Sequence, residues 1–269
     1  MISAHLKIKS DCAPGNSFNI HSMIKKTSIQ LIFSAAAFIV LLGCFGCGDN
    51  STAPGETDTV TVIFRDGASP LPSYSGTSDA VIKDGPAWLT RSGNYGHRTV
   101  DTLGVIEIGG SLYEQRMLAR FDLTSITDCG TVISASLTIS VTPEDTNRTI
   151  LLDAWEATVP ETYPRSWVEG SATSDGVSWI YLDGVSDWTT EGGDVLELMD
   201  SREVRADTVV TFELDPARIQ AWIKMEWLNH GVLIRPRTSG QSAFLYAHMR
   251  ESTAEALRPE LYIKYIKGG

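Results

Sequence analysis

The sequence has 269 residues, of which 20% are charged, and its formal net charge is −11 at pH 7. This balance argues against a nucleic-acid-binding protein, because nonspecific contact with phosphates needs basic patches. An acidic surface also disfavours a polybasic contact with membranes. The folded region has too few cysteines for a disulfide framework, since Cys129 is its single cysteine.

The N-terminal part of the chain carries a predicted secretory signal peptide at residues 23–43. A basic pair precedes an apolar run from Ile29 to Leu42, which is shorter than the roughly 20 residues that a membrane-spanning helix needs. Residues 1–22 fit neither a signal peptide nor a domain. We interpret them as a mis-assigned extension and expect Met23 to be the true start.

The signal peptide ends in Leu-Leu-Gly-Cys, which resembles the lipobox of bacterial lipoproteins. In that family the signal is cut before the cysteine, so the resemblance implies lipidation of Cys44 and a membrane anchor. Cys47 is a weaker alternative, because the residue three before it is not leucine, and a plain signal peptide with an incidental cysteine is another. Phe45 follows the lipidated position, where Asp tends to retain lipoproteins at the inner membrane. The resemblance therefore implies the outer membrane or the cell surface.

Residues 44–57 are rich in Gly, Ser, Thr and Pro and are predicted to be a flexible tether. Residues 58–269 follow as one predicted domain of short strands separated by turns, which indicates an antiparallel sandwich or barrel. The predicted strands cover 59–64, 79–85, 105–110, 115–123, 132–141, 149–157, 176–182, 207–214, 231–236, 242–250 and 259–266.

One short helix is predicted near 215–226. Asp215 is a suitable N-cap and Pro216 suits the first helical position. Ile219, Trp222 and Ile223 then form one apolar stripe at helical spacing. We expect this helix to cover one end of the core.

The segment "RMLARFDL" at 116–123 alternates between two faces. Four apolar residues share one face: Met117, Ala119, Phe121 and Leu123. The other face carries Arg116, Leu118, Arg120 and Asp122. Arginine forks pair well with carboxylates, so this face could bind uronate groups of a glycan. Alternatively, its arginines form structural ion pairs.

We expect a split between the two arginines of this face. Arg120 is predicted to form a structural ion pair with Glu251, or with the neighbouring Asp122, because "RES" precedes a strand that could lie beside this one. Arg116 lies nearer the start of the strand and is predicted to be freer to contact a ligand.

Several sequence blocks, taken in order, resemble the DNRLRE domain, a family of secreted β-sandwich modules. The blocks are "DAVI" (79–82), "NYG" (94–96), "RMLARFDLTSI" (116–126), "VISASLTISV" (132–141), "SWVEGSATSDGVSW" (166–179), "WTTEGGD" (188–194), "NHGVLI" (229–234), "RES" (250–252) and "RPELYIKY" (258–265). The positions behind the family's letters would be Asp79, Asn94, Arg116, Leu118, Arg120 and Glu251.

This resemblance implies an all-β, jelly-roll-like antiparallel β-sandwich. Relatives in the family accompany polysaccharide-degrading enzymes, and some are described as carbohydrate-binding modules for acidic polysaccharides such as alginate. Others occur in large cell-surface proteins. The resemblance thus favours a lipid-anchored surface module that binds carbohydrate. A structural or adhesion protein of the cell envelope is the alternative.

Two aromatic residues complete the predicted ligand site around Arg116. Tyr95 and Trp188 could stack on sugar rings, and Trp188, in a glycine-rich loop, is the better candidate for exposure. Core packing and loop anchoring are the alternative roles for such side chains.

Acidic loops at 142–147, 173–176 and 191–194 could hold structural calcium, although none has EF-hand spacing. Solvated turn residues are the competing interpretation, and the sequence predicts no certain cofactor.

The sequence offers little for catalysis. It lacks the nucleophile-elbow, zinc-protease and phosphate-loop motifs. A lyase-type centre of His97, Tyr95 and Arg98 can be drawn. We rank a polysaccharide-degrading enzyme below both other hypotheses and predict that the protein is not an enzyme.

Overall fold

Strands dominate the part of the chain that the computed structural model describes, which comprises residues 58–172, 174–237 and 240–268. The predicted extension, signal peptide, Cys44 and tether lie outside these residues. Within them, no helix is both long and apolar enough to cross a membrane.

Eleven strands occur in the described residues, in chain order. They are β1 (Thr59–Phe64), β2 (Thr77–Lys83), β3 (Val100–Ile108), β4 (Ser111–Phe121), β5 (Cys129–Pro143), β6 (Ile150–Thr158), β7 (Asp194–Val204), β8 (Val209–Leu214), β9 (Val232–Pro236), β10 (Ala243–His248) and β11 (Glu260–Lys267). Two helices accompany them, α1 (Trp88–Ser92) and α2 (Pro216–Ile223), together with a 3-10 turn at Glu255–Leu257.

The strands pair antiparallel in two groups that the long strand β5 joins. In the first group β11 lies between β1 and β5, and β8 pairs with the other edge of β5. In the second group β4 pairs with β2, β3 and β9, while β10 extends the sheet beyond β3 and β6 and β7 extend it beyond β9. The end of β5 pairs with β10, so one strand belongs to both groups.

The main core lies between these two groups and draws buried side chains from every strand. Met117, Ala119 and Phe121 of β4 point into it, together with Leu123 just after the strand, as the alternation of "RMLARFDL" predicts. The prediction of an all-β antiparallel sandwich is confirmed.

Helix α2 agrees with the prediction from its cap. The Asp215 carboxylate accepts a hydrogen bond from the Ala217 amide at 2.9 Å, and Pro216 occupies the first turn. Ile219 and Trp222 are buried in the main core, so α2 packs one face against the sandwich. The short helix α1 was not expected from the sequence.

Two predictions of secondary structure are wrong. Residues 176–182 are irregular, with one isolated bridge at Tyr181 instead of a strand, and the Ser178 hydroxyl accepts hydrogen bonds from the amides of Ile180 and Tyr181. Strand β7 was missed because it lies at an edge of the sheet, leaves Leu196 exposed and pairs with β6 through register shifts. Both features blur the period of two.

A second core lies on the outer face of the second group. Leu118 of β4 and Leu233 of β9 pack there against side chains from the long segment between β6 and β7. That segment supplies Trp167, Trp179 and Trp188, each less than 10% exposed. The charged face of β4, which the sequence analysis treated as a possible ligand-binding surface, is therefore covered by an aromatic-rich loop region.

Candidate functional site

The predicted ligand residue Arg116 is enclosed by this loop region. Its guanidinium forms two hydrogen bonds with Glu114 Oε2, at 2.8 and 2.6 Å, and donates a third to the Gly192 carbonyl at 2.7 Å. It also lies over the Trp179 ring, 4.5 Å from the centroid, with only 12% of the side chain exposed. The expectation that Arg116 is freer than Arg120 is wrong, because the hydrogen-bond donors of the Arg116 guanidinium are engaged by Glu114 and the Gly192 carbonyl.

Trp188, the better candidate for exposure, is buried, in agreement with the alternative of core packing and loop anchoring. Only 5% of Trp188 is exposed, and its indole nitrogen donates a hydrogen bond to the Ser178 carbonyl at 3.0 Å. A loop rich in glycine does not imply an exposed tryptophan, because here the loop folds back on the sheet. Large apolar area and one N–H donor suit this anchoring role.

Tyr95 is partly buried beside α1. Its hydroxyl donates a hydrogen bond to the Thr90 carbonyl at 3.3 Å, and the Lys83 ammonium lies 4.4 Å from its ring centroid. Arg98 lies 5.4 Å from the same ring. Cations therefore occupy the ring surface that stacking on a sugar would need. Tyr95, Arg116 and Trp188 do not form an open platform.

The expected ion pair between Arg120 and Glu251 does not form. Arg120 instead lies over the indole of Trp167 and donates weak hydrogen bonds to the Trp167 carbonyl at 3.3 Å and to Ser78 Oγ at 3.5 Å. Glu251 pairs with its neighbour Arg250 at 2.9 Å. The strand that would have brought Glu251 to Arg120 pairs elsewhere, because β11 lies beside β1 and β5.

Arg120 thereby becomes the less committed of the two arginines. It makes no ion pair within 4.0 Å among the described residues. Burial lowers the pKa of its guanidinium, while Glu169 and Asp122 oppose that shift. A guanidinium that is desolvated but lacks a carboxylate partner is suited to receive one from a ligand.

Arg120 lines an open groove of about 490 Å³ between the end of β4 and the segment after α2. This groove, hereafter the Arg120 groove, combines indole and aliphatic surface with hydroxyl, amide and carboxylate groups. Its volume falls within the range of small-ligand sites. Its lining residues are Ser75, Gly76, Ser78, Arg120, Phe121, Asp122, Leu123, Thr124, Trp222, Ile223, Met225, Trp227, Leu228 and Asn229.

Trp227 gives the Arg120 groove an exposed aromatic surface. Half of Trp227 is exposed, at 50%, and the guanidinium of Arg218 lies 3.7 Å from its ring centroid. Arg218 is itself held by Glu156 at 2.9 Å and by Glu197 at 3.4 Å. The indole is therefore braced from one side and keeps accessible surface for stacking.

The three predicted calcium loops use their carboxylates locally. Asp145 accepts a hydrogen bond from the Asn147 amide, and Asp175 accepts from Ser171 and Ala172. Asp194 likewise accepts from the amides of two preceding residues. These are turn interactions, which favours the solvated-turn interpretation of all three loops.

A different set of acids meets at the junction of β2, the β6–β7 segment and the β10–β11 connection. Carboxylate oxygens of Asp79, Glu169 and Glu251 all lie within 4.8 Å of one another. The Asn94 amide helps to position this set, because it donates hydrogen bonds to the carbonyls of Glu169 and Val177. We call these three carboxyl groups the acidic cluster.

Burial raises the pKa of all three carboxyl groups above their ordinary values. Neighbouring carboxylates reinforce the shift at Asp79 and Glu169, whereas at Glu251 the charge of Asp66 reinforces it and a hydrogen bond with Glu169 opposes it. Arg250 lowers the pKa of each in turn. The acidic cluster was not predicted, because its members are separated by 90 and 82 positions in the sequence. The only sequence signal was that Asp79 and Glu251 both stand at family-letter positions and that Glu169 falls within a quoted block.

His97 and Arg98 of the drawn lyase-type centre are exposed, and Arg98 pairs with Asp101 at 3.7 Å. The ring of Tyr95 contacts the cations of Lys83 and Arg98, and its hydroxyl donates a hydrogen bond to the Thr90 carbonyl. No reaction is derived from this trio.

Comparison of the chain with protein-family models gives no match, and no curated protein is significantly similar to it. The fold and the geometry of the site are thus the basis for any functional assignment.

Proposed function

We propose that this protein is a lipid-anchored β-sandwich module of the cell surface that binds carbohydrate in the Arg120 groove. The observation that carries this proposal is that one groove is lined both by a braced, half-exposed indole at Trp227 and by Arg120, whose guanidinium has no carboxylate partner within 4.0 Å among the described residues. Indole faces stack on sugar rings, and a guanidinium fork recognises the carboxylate of a uronate. Acidic polysaccharides are therefore the preferred ligand class.

The anchor belongs to the same proposal. The lipobox-like sequence at Cys44, the tether and the residue at position 45 support an outer-membrane or cell-surface location. A module tethered there would hold extracellular polysaccharide close to the cell. Membership of the DNRLRE family, with its carbohydrate-binding relatives, is part of what we propose.

A structural or adhesion role without glycan binding is the second candidate. It is favoured by the apolar residues at the rim of the Arg120 groove, where Met225 is 75% and Leu228 is 70% exposed. Such a surface suits a protein partner as well as a sugar. Enzymatic activity ranks third, since the described residues offer no nucleophile and base that converge in the groove.

A glycan array with the purified full chain tests the proposal. We expect selective binding to uronate-containing polysaccharides such as alginate. Silence on acidic and neutral glycans from a folded sample would favour the structural or adhesion role instead.

A further inference from the structure

The acidic cluster brings together more carboxyl groups than one neighbouring guanidinium can pair with. Asp79 is fully buried, and the side chains of Glu169 and Glu251 are 11% and 24% exposed. A fourth carboxylate, that of Asp66, lies on the other side of Arg250 at 3.3 Å. Three carboxylates thus pair with the one guanidinium of Arg250, and Asp79 accepts a hydrogen bond from its backbone amide. Buried charges are normally paired or bound to metal ions.

Arg250 contacts one oxygen of each carboxylate in the acidic cluster and leaves the other carboxylate oxygens without a contact from it. Its Nε donates to Glu169 Oε1 at 2.6 Å and lies 2.9 Å from Glu251 Oε1. Its backbone amide donates to Asp79 Oδ2 at 2.8 Å. Each of these contacts uses one oxygen of a carboxylate and fixes the orientation of the other.

The remaining oxygens include two buried atoms with no hydrogen-bond partner, Asp79 Oδ1 and Glu251 Oε2. Asp79 supplies the independent observation, because its side chain is wholly buried and still has an unpartnered acceptor beside two other carboxylates. An unpartnered acceptor at such a position is rare in folded proteins. It calls for a proton or for a cation.

We propose that Asp79, Glu169 and Glu251 bind a divalent cation, and that this cation is Ca²⁺. The donor set consists only of carboxylate oxygens, which hard cations prefer and which soft or nitrogen-seeking metals do not. Arg250 positions the carboxylates from behind, as outer-shell partners commonly do at metal sites. The cation would join β2, the β6–β7 segment and the β10–β11 connection, which are remote in sequence.

The choice of Ca²⁺ over Mg²⁺ rests on flexibility. Two of the three ligands are glutamates in connections between strands, and Ca²⁺ accepts irregular arrangements that Mg²⁺ does not. This inference concerns the scaffold and does not depend on glycan binding, since none of the three residues lines the Arg120 groove.

The test is calorimetric titration of Ca²⁺ into the purified, EDTA-stripped full chain at pH 7. We expect one saturable site with a Kd of roughly 10⁻⁴ to 10⁻³ M, the range of extracellular modules. At about 100 times Kd, Ca²⁺ should raise Tm by roughly 5–10 °C for a domain of this size. Mg²⁺ should bind more weakly.

Two cluster variants and one control complete the design. Asp79→Asn and Glu251→Gln should each weaken Ca²⁺ binding at least tenfold. Glu161→Gln makes the same chemical change at an exposed glutamate in the β6–β7 segment and should bind like the wild type. If Asp79→Asn does not fold, the wild-type titration and Glu251→Gln still decide.

Three outcomes would overturn the proposal. The folded wild type could show no saturable Ca²⁺ binding, or Glu251→Gln could bind as tightly as Glu161→Gln. Alternatively, Tm could rise on acidification and stay unchanged by Ca²⁺ and EDTA. That last result would assign a shared proton, rather than a cation, to the acidic cluster.

Discussion

The guanidinium of Arg120 lies over the indole ring of Trp167, with its central carbon 4.9 Å from the ring centroid. Arg116, four positions earlier on the same face of β4, stacks in the same way on Trp179. The charged face of β4 is therefore a second packing layer, in which arginines support the tryptophans of the β6–β7 segment. At one end of that layer Arg120 reaches the Arg120 groove.

Replacing Arg116 by alanine should destabilise the fold. The change removes three hydrogen bonds from a side chain that is largely buried, and it takes a charged partner from Glu114. We expect a loss of about 2 kcal/mol in the free energy of unfolding, measured by urea denaturation. Arg165→Ala, at an exposed arginine, should change it by less than about 0.5 kcal/mol. Equal effects of the two substitutions would contradict a structural role for Arg116.

His230 should make stability depend on pH. Burial lowers the pKa of its imidazole below the ordinary value of about 6.5, and the positive charge of Arg120 lowers it further. The unfolded chain therefore binds a proton at a higher pH than the folded chain does. The contribution of His230 to stability should therefore rise with pH from its lowered folded pKa up to about 6.5, by at most about 1.4 kcal/mol per pH unit. The raised pKa of Glu169, about 7, contributes a slope of the opposite sign in this range, so the His230 contribution is the difference between wild type and variant.

Urea midpoints between pH 5 and 8 measure this dependence. His230→Gln should remove the rising contribution, so that its profile rises less or falls more with pH than that of the wild type, whereas His97→Gln, at an exposed histidine, should leave it unchanged. A profile of His230→Gln that rises as steeply as that of the wild type would rule out His230 as the titrating group.

Cys44 is the predicted site of lipid attachment. Cys44→Ser should move the protein from the membrane fraction to the soluble fraction of cells, because the acyl chains are what hold it at the bilayer. Cys47→Ser, three residues away, should leave it in the membrane fraction. Fractionation followed by immunoblotting measures this, and release by the Cys47 variant instead would shift the lipidated position.

The sequence was informative wherever local chemistry decides the structure. The alternation around Met117 and Phe121 predicted the inner face of β4, and Asp215 with Pro216 predicted the start of α2. Each of these signals spans only a few residues. The alternation of apolar residues and the N-cap residue can be recognised without knowing which strands lie beside them.

The errors arose where distant segments decide the environment. Trp188 is buried because the β6–β7 segment folds over the sheet, and this long-range packing cannot be read from the sequence of the loop. Arg116 and Arg120 exchanged their expected roles for the same reason, since Gly192 and Trp167, which contact them from the β6–β7 segment, lie 76 and 47 positions away in the sequence. The acidic cluster joins three segments, so its assembly depends on the complete sheet order.

The central claim is that the Arg120 groove binds acidic glycan, and calorimetric titration of alginate oligosaccharides into the purified full chain tests it most directly. Trp227→Ala should weaken binding roughly tenfold, which corresponds to about 1.4 kcal/mol. Trp88→Ala is the matched control, because Trp88 is 59% exposed and lies outside the groove. Arg120→Gln should reduce binding of uronates more than that of neutral sugars. Equal affinities for wild type, Trp227→Ala and Trp88→Ala, or no binding by a folded wild type, would contradict the account.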